Sequence, residues 1–527
     1  MKVKSIELYQ FLNFDMKKYV EVYRSKVAEK DVLEVEPFVP MAELKYKMGT
    51  ISEEEYRIAK ADEESRMRGT VVHIERKRGV LNSDEKIESK CRYLQDALIR
   101  RAFSKKDTMS FSLSSSILKA VLGHEYKSMI ETFIDMGYLA KGSDFKTDEV
   151  RKDRHYTAGE HSTLYTLACD SVEKVECSNS AIIKYKQKTK EEYEKMRMMA
   201  IKGVDDKYGS AFRQHYVVSL RKVRIEDEAG MDDYIRSQVE ADSNKAIYYR
   251  FVKEALVDKD KTINKVDNAG RIYHCLTNLE RELKQYLNID YMLDCKNSHP
   301  LLFNYFILRY YNISISSSYN INSFLKSCII SDDKSPIHNV GKYLRKCLLD
   351  NNIETESVAK LTDDEIEYIH LTSTGRLWDE IASRHPDLDR NEVKVQMFQE
   401  VFYSNTAYAY HWKEYAVEFQ SKFPSVYRLI GSWKSRRQSE TVKEYMDSRR
   451  LVVDKPTASL SVAMMDLESQ IFISILKRLY ARRWNAVHIH DCIVVLKDGN
   501  KNHPTIEQVR SIMESVYAEF GLCPTLD

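Results

Sequence analysis

The chain has 527 residues, of which 43% are hydrophobic and 31% are charged, and its 82 basic and 80 acidic side chains leave a formal net charge of only +2. This composition is that of a globular protein with room for several domains and sizeable cores, and it argues against a polybasic tail protein. It does not exclude a nucleic-acid ligand, because a local groove can be basic while the whole chain is nearly neutral.

The nine cysteines form no CxxC pair and no Cys/His run at zinc spacing, which predicts reduced thiols in a cytoplasmic protein. The N-terminal stretch MKVKSIELYQFLNFDMKKYVEVYR is charged throughout and lacks the apolar core of a signal peptide. No uninterrupted run of roughly 18 or more apolar residues follows it. We therefore expect a cytoplasmic location and no membrane association.

Residues 1–100 are mostly polar and helix-prone, and they indicate no function. The next segment, SLSSSILKAVLGHEYKSMIETFIDMGYLAKG, predicts two short helices that are separated at Gly123 and end at Gly137, with Ser114 as the N-cap of the first. Two strand-like pieces, RHYTAG and STLYTLA, follow. Two helices and a hairpin are typical of a winged-helix module, which binds nucleic acid in some proteins and docks other proteins elsewhere.

The region from 180 to 265 is helical and highly charged, and three compact stretches with candidate chemistry follow it. The first is YMLDCKNSHPLLFNYFIL, in which Asp294 lies where a predicted strand ends and an apolar helix begins. A carboxylate in that position can bind a hard cation such as Mg2+. A lone Asp there is more often a helix N-cap, so the residue alone does not decide between the two.

The second stretch is DRNEVKVQMFQEVFYSN. The residues that recur in it every four positions are Arg390, Lys394, Phe398 and Phe402. This spacing predicts a single stripe along a helix, which could face a core. Arg and Lys make poor core residues and good polyphosphate ligands, and the aromatic rings beyond them can stack on a base.

The third stretch, VHIHDCIVVL, follows the amphipathic helix SLSVAMMDLESQIFISILKRLYARRW. Its pattern predicts a strand to His490, a tight turn at Asp491 and Cys492, and a returning strand from Ile493 to Leu496. The tip of such a hairpin would expose Asp491, which offsets the cost of a lone carboxylate in an apolar run.

A fourth element, GRIYHCLTNL, precedes these three and contains Gly270, Arg271, Asn278 and Leu279. In this order the four elements resemble the motifs of the family A DNA polymerases and of the related single-subunit phage and mitochondrial RNA polymerases. The fourth looks like the Gly-Arg-Leu-Ser-Ser-x-x-Pro-Asn-Leu segment of that family, which holds the template and primer. The resemblance covers about residues 265 to 527 and, by analogy, suggests a divergent enzyme of a phage or mobile element in a bacterial cytoplasm.

The resemblance implies an α+β fold, namely a right-hand polymerase with an antiparallel palm sheet and helical fingers and thumb, behind an N-terminal helical and winged-helix region. The implied domains are a helical region of unknown function (1–100), a winged-helix-like module (101–170), a thumb-like region (171–264), the first part of the palm (265–335), the fingers (336–455) and the second part of the palm (456–527). The first 170 residues contain no carboxylate cluster in the order of a proofreading exonuclease, so we expect that activity to be absent.

By the same resemblance, the chain would extend a primer 3′-hydroxyl with nucleoside triphosphates on a nucleic-acid template. Two Mg2+ ions, for which Mn2+ can substitute, would be held by Asp294 and Asp491. The other implied roles are triphosphate binding by Arg390 and Lys394, protonation of the leaving pyrophosphate by Lys394, packing on the base and sugar by Phe398 and Phe402, and primer or template contacts by Arg271, Asn278 and His490. A processivity or replisome partner is a further expectation.

Three departures from the family pattern bear on the substrate. His299 stands where the family carries the Glu that selects deoxyribose, which predicts weaker sugar selectivity. The helix motif ends in Phe402 and Tyr403 instead of Tyr-Gly, which predicts the loss of a hydroxyl near the ribose. Cys492 follows the hairpin aspartate where the DNA polymerases often have Glu and the RNA polymerases Ser, so only two carboxylates are certain.

Three functions stay open at this stage. A DNA polymerase is favoured, and an RNA polymerase or primase on the same scaffold is the second. A noncatalytic replication or regulatory factor that binds nucleic acid is the third, and the retained carboxylates and cations argue against it. Glu468 and Gln470, on the helix before the hairpin, are interpreted as surface polar residues rather than as contacts of the site.

Overall fold

A computed structural model of the chain describes residues 5–31, 53–54, 57, 83–103, 110–141, 164–168, 172–241, 245–328, 339–385, 387–453, 455–497, 499 and 503–527. The fold is mixed α+β and mostly helical, with small antiparallel sheets. It divides into two compact units, residues 1–193 and residues 194–527.

The first unit contains two small sheets. Its elements are β1 (Ile6–Phe11), α1 (Met16–Asp31), α2 (Asp84–Ala102), β2 (Ser110–Ser112), α3 (Ser115–Leu122), α4 (Tyr126–Asp135), β3 (Leu139–Lys141), β4 (Leu164–Leu167) and β5 (Val172–Cys177). β1 pairs antiparallel with β5, and a second antiparallel sheet has the order β2-β4-β3. Because β1 and β5 are far apart in sequence, the predicted boundaries after residues 100 and 170 both fall inside one compact unit.

The two helices predicted on either side of Gly123 are confirmed. The hydroxyl of Ser114 accepts a hydrogen bond from the backbone N–H of Ile117, and α3 ends at Gly123, whose φ is 81°. Gly137, with a φ of 77°, follows α4. Both glycines occupy a left-handed conformation that other residues adopt at a cost, which is why the helices stop there. The predicted strand STLYTLA contains β4, whereas RHYTAG lies outside the described residues.

Helix α5 (Ser180–Tyr208) crosses the boundary into the second unit, which holds most of the helices. The further elements are α6 (Ser210–Arg221), α7 (Glu228–Ala241), α8 (Lys245–Val257), β6 (Lys265–Val266), β7 (Ile272–Tyr273), α9 (Arg281–Lys284), β8 (Ile289–Asp294), α10 (Ser298–Tyr310), α11 (Ile315–Ser327), α12 (Val340–Asp350), α13 (Thr355–Val358), α14 (Asp363–Ser373), α15 (Leu377–Ala382), α16 (Arg390–Met397), α17 (Glu414–Lys422), α18 (Pro424–Lys434), α19 (Glu440–Ser448), α20 (Ser459–Ala481), β9 (Ala486–Ile489), β10 (Cys492–Leu496) and α21 (Ile506–Ala518). A π-helical turn, Phe398–Phe402, continues α16, and a 3-10 turn, Pro456–Ala458, precedes α20.

A three-stranded antiparallel sheet in the order β8-β10-β9 contains the predicted hairpin. Cys492 pairs with Ile489, so His490 and Asp491 form the turn. The predicted turn at Asp491 and Cys492 is therefore wrong by one residue, because His490 adopts a left-handed backbone with a φ of 54° and takes the first turn position itself. β10 also pairs with β8, and this register places Asp294 directly opposite Cys492.

The long helix α20 and the turn before it, Pro456–Ala481, form the one segment among the described residues that is long and apolar enough to cross a membrane. Within its most apolar window, 72% of the residues are buried inside the structure. A helix that is apolar on most of its surface needs either lipid or a protein core around it, and here the core provides that environment.

Candidate active site

A cleft of about 970 Å³ lies in the second unit at the edge of the β8-β10-β9 sheet. Its walls come from β8, the β9-β10 turn, the start of α10, helix α16 and helix α20. The predicted site residues that line it are Arg271, Asp294, His299, Arg390, Lys394, Phe398, His490 and Asp491. All four motifs, which are dispersed along the sequence, thus contribute to one cavity. Phe402 and Asn278 are the two predicted residues that do not line it.

Asp294 and Asp491 are brought together by the backbone of the sheet. Asp294 is the last residue of β8, and the N–H of Cys295 donates to the backbone carbonyl of Asp491 at 3.2 Å. Desolvation in the cleft and the charge of Asp491 raise the pKa of Asp294 to about 7, although Lys394 opposes the shift. Burial and the charge of Glu468 raise the pKa of Asp491. Two carboxylates therefore repel each other at the bottom of the cleft.

The hairpin tip is less accessible than the sequence suggests. Asp491 is half-buried, because the tip lies inside the cleft instead of at an outer edge of the sheet. The ring of His490, beside it, packs edge-on against Tyr273 at 6.1 Å, and burial lowers the pKa of this histidine. The expectation of an exposed Asp491 is wrong, and the desolvated carboxylate needs positive charge nearby.

The donor chemistry of the two aspartates fits a hard divalent cation. Among the described residues, no group of three or more His, Cys, Asp and Glu side chains is arranged to hold a metal ion, so the protein would provide two carboxylates. Mg2+ commonly binds proteins through one or two carboxylates and completes its shell with water and substrate phosphates. A cation at Asp294 and Asp491 would also relieve the repulsion that raises the pKa of Asp294.

Helix α16 supplies the cations of the cleft. The side chains of Asp389 and Glu392 form a capping box that fixes its first turn, so Arg390 and Lys394 lie one turn apart. Nε of Arg390 donates to Oδ1 of Asp379 at 2.6 Å, and both side chains are exposed. An exposed pair of this kind contributes about 0–1 kcal/mol, so Arg390 can exchange Asp379 for a stronger anion. The charge of Lys394 lowers the pKa of both aspartates, which places its ammonium within electrostatic range of them.

The stripe of α16 changes register at the π-helical turn. The N–H of Tyr403 donates to the carbonyl oxygen of Phe398 at 2.7 Å, a bond that spans five residues instead of four. As a result Tyr403, and not Phe402, follows Phe398 into the cleft, and the two rings stack with centroids 5.1 Å apart and an interplanar angle of 13°. Phe402 is completely buried against Trp378 and Phe419. The prediction that Phe402 packs on a ligand is therefore wrong, because it assumed an uninterrupted α-helix.

The hydroxyl expected to be missing is present one residue later. Oη of Tyr403 is hydrogen-bonded to Nδ1 of His299, and the two rings are perpendicular with centroids 5.7 Å apart. Phe398 also meets the imidazole edge-on, at 6.1 Å and 90°. His299 is thus enclosed by the two aromatic rings of the stripe.

Glu468 holds the other side of the imidazole. Nε2 of His299 lies 2.7 Å from Oε2 of Glu468, and Arg271 donates to both carboxylate oxygens, from Nε at 2.9 Å and from a terminal nitrogen at 2.7 Å. Burial opposes ionisation, but the bonds with His299 and Arg271 outweigh it and lower the pKa of Glu468 to about 2. Glu468 is 2% exposed, so its interpretation as a surface residue is wrong. Its neighbours one helical turn away on either side, Met464 and Phe472, are apolar, and this pattern could have predicted that Glu468 is buried.

The remaining predicted residues have separate positions. Asn278 is exposed outside the cleft, so no described contact connects it with the site. Gln470 is half-buried and donates to Oδ2 of Asp466 at 2.8 Å, which corrects its interpretation as a surface residue. Arg271 lines the cleft, but its guanidinium is engaged by Glu468.

Several residues of the cleft were missed by sequence reasoning. They are Arg281, Lys284, Lys296 and Asp527. The backbones of Asp527 and Asp294 exchange two hydrogen bonds of 3.1 Å, and Nζ of Lys296 lies 2.9 Å from Oδ1 of Asp527. No local sequence pattern predicts that Asp527 pairs with Asp294, because the two segments are distant in sequence.

Neither a scan against models of known protein families nor a search of the curated proteins gives a match for this sequence. The function of the cleft therefore has to be argued from its residues and from the motif resemblance.

Proposed function

We propose that the second unit is a template-directed nucleotidyltransferase, which extends a primer 3′-hydroxyl with nucleoside triphosphates. The observation that carries the proposal is the convergence of Asp294 and Asp491 at one end of a sheet, opposite Arg390 and Lys394 in the same cleft. Carboxylates for a metal ion and cations for a polyphosphate are the two components that phosphoryl transfer requires.

Each side chain of the cleft has a definite task under this proposal. Asp294 and Asp491 would hold Mg2+, which supplies positive charge to the reacting phosphate oxygens. Arg390 would leave Asp379 to bind the triphosphate. Lys394 would bind it as well and would donate a proton to the departing pyrophosphate.

The aromatic and histidine residues would align the reactants. The stacked rings of Phe398 and Tyr403 offer a flat surface for the base and sugar of the incoming nucleotide. His490, in the hairpin turn, would lie beside the primer terminus. Arg271 would contact the nucleic acid only through the part of its guanidinium that Glu468 leaves free.

The finer fold assignment belongs to the same proposal. The β8-β10-β9 sheet would be the palm, the helices from α12 to α19 the fingers, and the helices from α5 to α8 the thumb of a right-hand polymerase. The order α2-β2-α3-α4-β3-β4 in the first unit, with its β2-β4-β3 sheet, supports a winged-helix module. This arrangement agrees with the antiparallel palm and helical fingers that the motif resemblance implies.

A second candidate, an RNA polymerase or primase on the same scaffold, is favoured by one observation. The side chain that contacts the Tyr403 hydroxyl is His299, which can donate or accept a hydrogen bond, and not an acidic residue. Both ring nitrogens are engaged, Nδ1 by Tyr403 and Nε2 by Glu468, so a ribose 2′-hydroxyl would bind by taking the place of the Tyr403 hydroxyl at Nδ1.

Extension assays on primed and unprimed templates, with dNTPs and with NTPs, test both candidates. Extension of primers with dNTPs alone identifies a DNA polymerase, whereas initiation on unprimed templates with NTPs identifies an RNA polymerase or primase. Asp491→Ala serves as the matched inactive control. Absence of incorporation under every condition would refute the proposal and favour a noncatalytic nucleic-acid-binding factor.

A further inference from the structure

In the loop between the π-helical turn and α17, a small side chain packs inward while large aromatic side chains are exposed. Its sequence AYAYHW, residues 407–412, has a large aromatic side chain at every second position. Ala409 packs against the core, whereas the rings of Tyr408, Tyr410 and Trp412 are 71%, 41% and 63% exposed. Burial of apolar area normally drives the large rings inward, so three neighbouring rings in solvent indicate a binding surface.

The exposed rings form a preorganised group, in which two rings stack on each other and the third is tilted. Tyr410 and Trp412 are parallel, with centroids 4.5 Å apart and an interplanar angle of 4°. Tyr408 continues the group at 6.5 Å from Tyr410. A planar nucleobase stacks on such rings whatever its identity, because every base has a π-face.

Positive charge lies at the end of the helix on which this loop packs. The backbone of Ala407 contacts Gly431 of α18, where an added Cβ would lie 3.3 Å from the Ala407 carbonyl oxygen. Just past the end of α18, Arg436 and Arg437 are exposed, and neither forms an ion pair within the described part of the chain. Guanidinium groups for phosphates and rings for bases are the two components that single-stranded nucleic acid requires, and here they belong to a loop and to the end of the helix on which the loop packs.

The loop also continues directly from the cleft. Tyr408 follows Tyr403, a residue of the cleft, at a distance of at most roughly 17 Å, the extended length of the five steps along the chain from one to the other. The first of the rings therefore lies within that distance of the cleft.

We propose that Tyr408, Tyr410 and Trp412 form a stacking site for single-stranded nucleic acid, occupied by the unpaired part of the template. The identity of that strand as template rests on the proposed function, whereas the binding itself needs no catalysis. The site is independent of base sequence and acts through ring stacking and phosphate contacts.

The four tryptophans make a direct test possible. Trp412 is 63% exposed, whereas the exposed fractions of Trp378, Trp433 and Trp484 are 1%, 5% and 7%. Titration with an oligodeoxythymidylate should therefore quench the fluorescence of Trp412 selectively, and Trp412→Phe should remove the signal while a labelled oligonucleotide still binds. In anisotropy titrations, Tyr410→Ala should weaken binding at least about fivefold, the lower limit for the loss of one stacked base.

Two controls separate stacking from general effects. Tyr343→Ala removes another exposed tyrosine, on α12, and should leave the affinity unchanged. Replacement of Arg436 and Arg437 by Ser should reduce the slope of log affinity against log salt by roughly 1.4, since each lost single-strand phosphate contact accounts for about 0.7.

The outcomes distinguish this site from the proposed function. Quenching by the oligonucleotide in an enzyme that incorporates no nucleotide would refute the function and leave the stacking site standing. Normal primer extension, together with unchanged oligonucleotide affinity after all three rings are replaced by Ala, would overturn the stacking site alone. Loss of self-association in that triple variant, without loss of oligonucleotide affinity, would instead assign the rings to a contact between two copies of the chain.

Discussion

The two walls of the cleft hold their functional groups by different means. On the sheet side, Asp294 and Asp491 are positioned by strand pairing and by the backbone bond from Cys295. On the helix side, Phe398 and Tyr403 depend on one irregular turn. We therefore expect the carboxylates to tolerate changes in nearby packing, whereas the aromatic wall should be sensitive to single side chains that support the turn.

Lys434 is the main support of that turn. Its side chain is 3% exposed, and its ammonium donates to the backbone carbonyl of Val401, inside the π-helical turn. Burial and the charge of Lys413 lower the pKa of Lys434 to about 7. A buried lysine bonded to a carbonyl of a π-helical turn secures an arrangement that backbone hydrogen bonding alone maintains less well.

Removal of either carboxylate should have the largest effect. Asp294→Ala and Asp491→Ala should each abolish nucleotide incorporation, because a metal ligand is lost, while the fold stays intact. Thermal unfolding should occur at an equal or higher temperature than in the wild type, since the mutual repulsion disappears. Activity near the wild-type level in either variant would refute the assignment of the metal ligands.

Loss of the cations on the opposite wall should weaken nucleotide binding. Arg390→Ala and Lys394→Ala should each raise the Kd for a nucleoside triphosphate by about 10- to 100-fold, the range for a lost hydrogen bond to a charged group. Template affinity should change much less. Asp379→Ala is the matched control, because it frees Arg390 and should leave nucleotide affinity equal or higher. A selective loss of primer-template binding would show that α16 faces the duplex instead.

The Glu468 network should give the stability of the protein a specific pH dependence. The pKa of Glu468 is lowered to about 2 from an ordinary value of 4.5, so its ionised form stabilises the folded state above pH 4.5. That contribution, on the order of 3 kcal/mol, should disappear as the pH falls from 4.5 towards 2. Denaturant unfolding of the wild type and of Glu468→Gln should therefore converge over this window. A stability difference that is constant with pH would contradict the network.

A change at Lys434 should damage the aromatic wall alone. Lys434→Met leaves the Val401 carbonyl without its donor and should cost about 1–3 kcal/mol of unfolding free energy. Nucleotide affinity should fall, while Mg2+ binding, measured by calorimetry, should stay at the wild-type level. Lys434→Arg, which keeps a donor, should recover part of the affinity. Equal losses of metal and nucleotide binding would show that the two walls are not independent.

The smallest expected effect concerns the sugar. His299→Glu places at this position the residue that selects deoxyribose in the family A polymerases, whose motifs this chain resembles, and should shift incorporation towards dNTPs. The measured quantity is the ratio of dNTP to NTP incorporation efficiency in the mutant and the wild type. A wild type that already rejects NTPs, with an unchanged ratio in the mutant, would exclude His299 as the sugar filter.

The strand end at Asp294 and the hairpin were accessible to sequence reasoning because strands and turns leave local patterns, whereas the approach of Asp294 to Asp491 was expected from the motif resemblance alone. The replacement of Phe402 by Tyr403 in the cleft was not accessible, since the π-helical turn is contacted by Lys434, which comes from another helix. Nor could the role of Glu468 be predicted, because its partner Arg271 is distant in sequence. Long-range partners, rather than local propensity, decide which face of a helix reaches the cleft.

The same limit applies to the first unit. Both helices around Gly123 follow from local glycine and capping signals. β1 and β5 are distant in sequence, and only their pairing in the fold makes them a sheet. From the sequence this unit was predicted to consist of separate regions, because no local pattern predicts that its first and last strands pair.

The central claim is that the cleft transfers nucleotides under the direction of a template. Its most direct test is extension of one labelled primer on four templates that differ only in the first unpaired base, with each nucleotide supplied singly in Mg2+. We predict that the wild type adds only the complementary nucleotide to each template and that Asp491→Ala adds none. No addition by the wild type, or the same addition on all four templates, would contradict it.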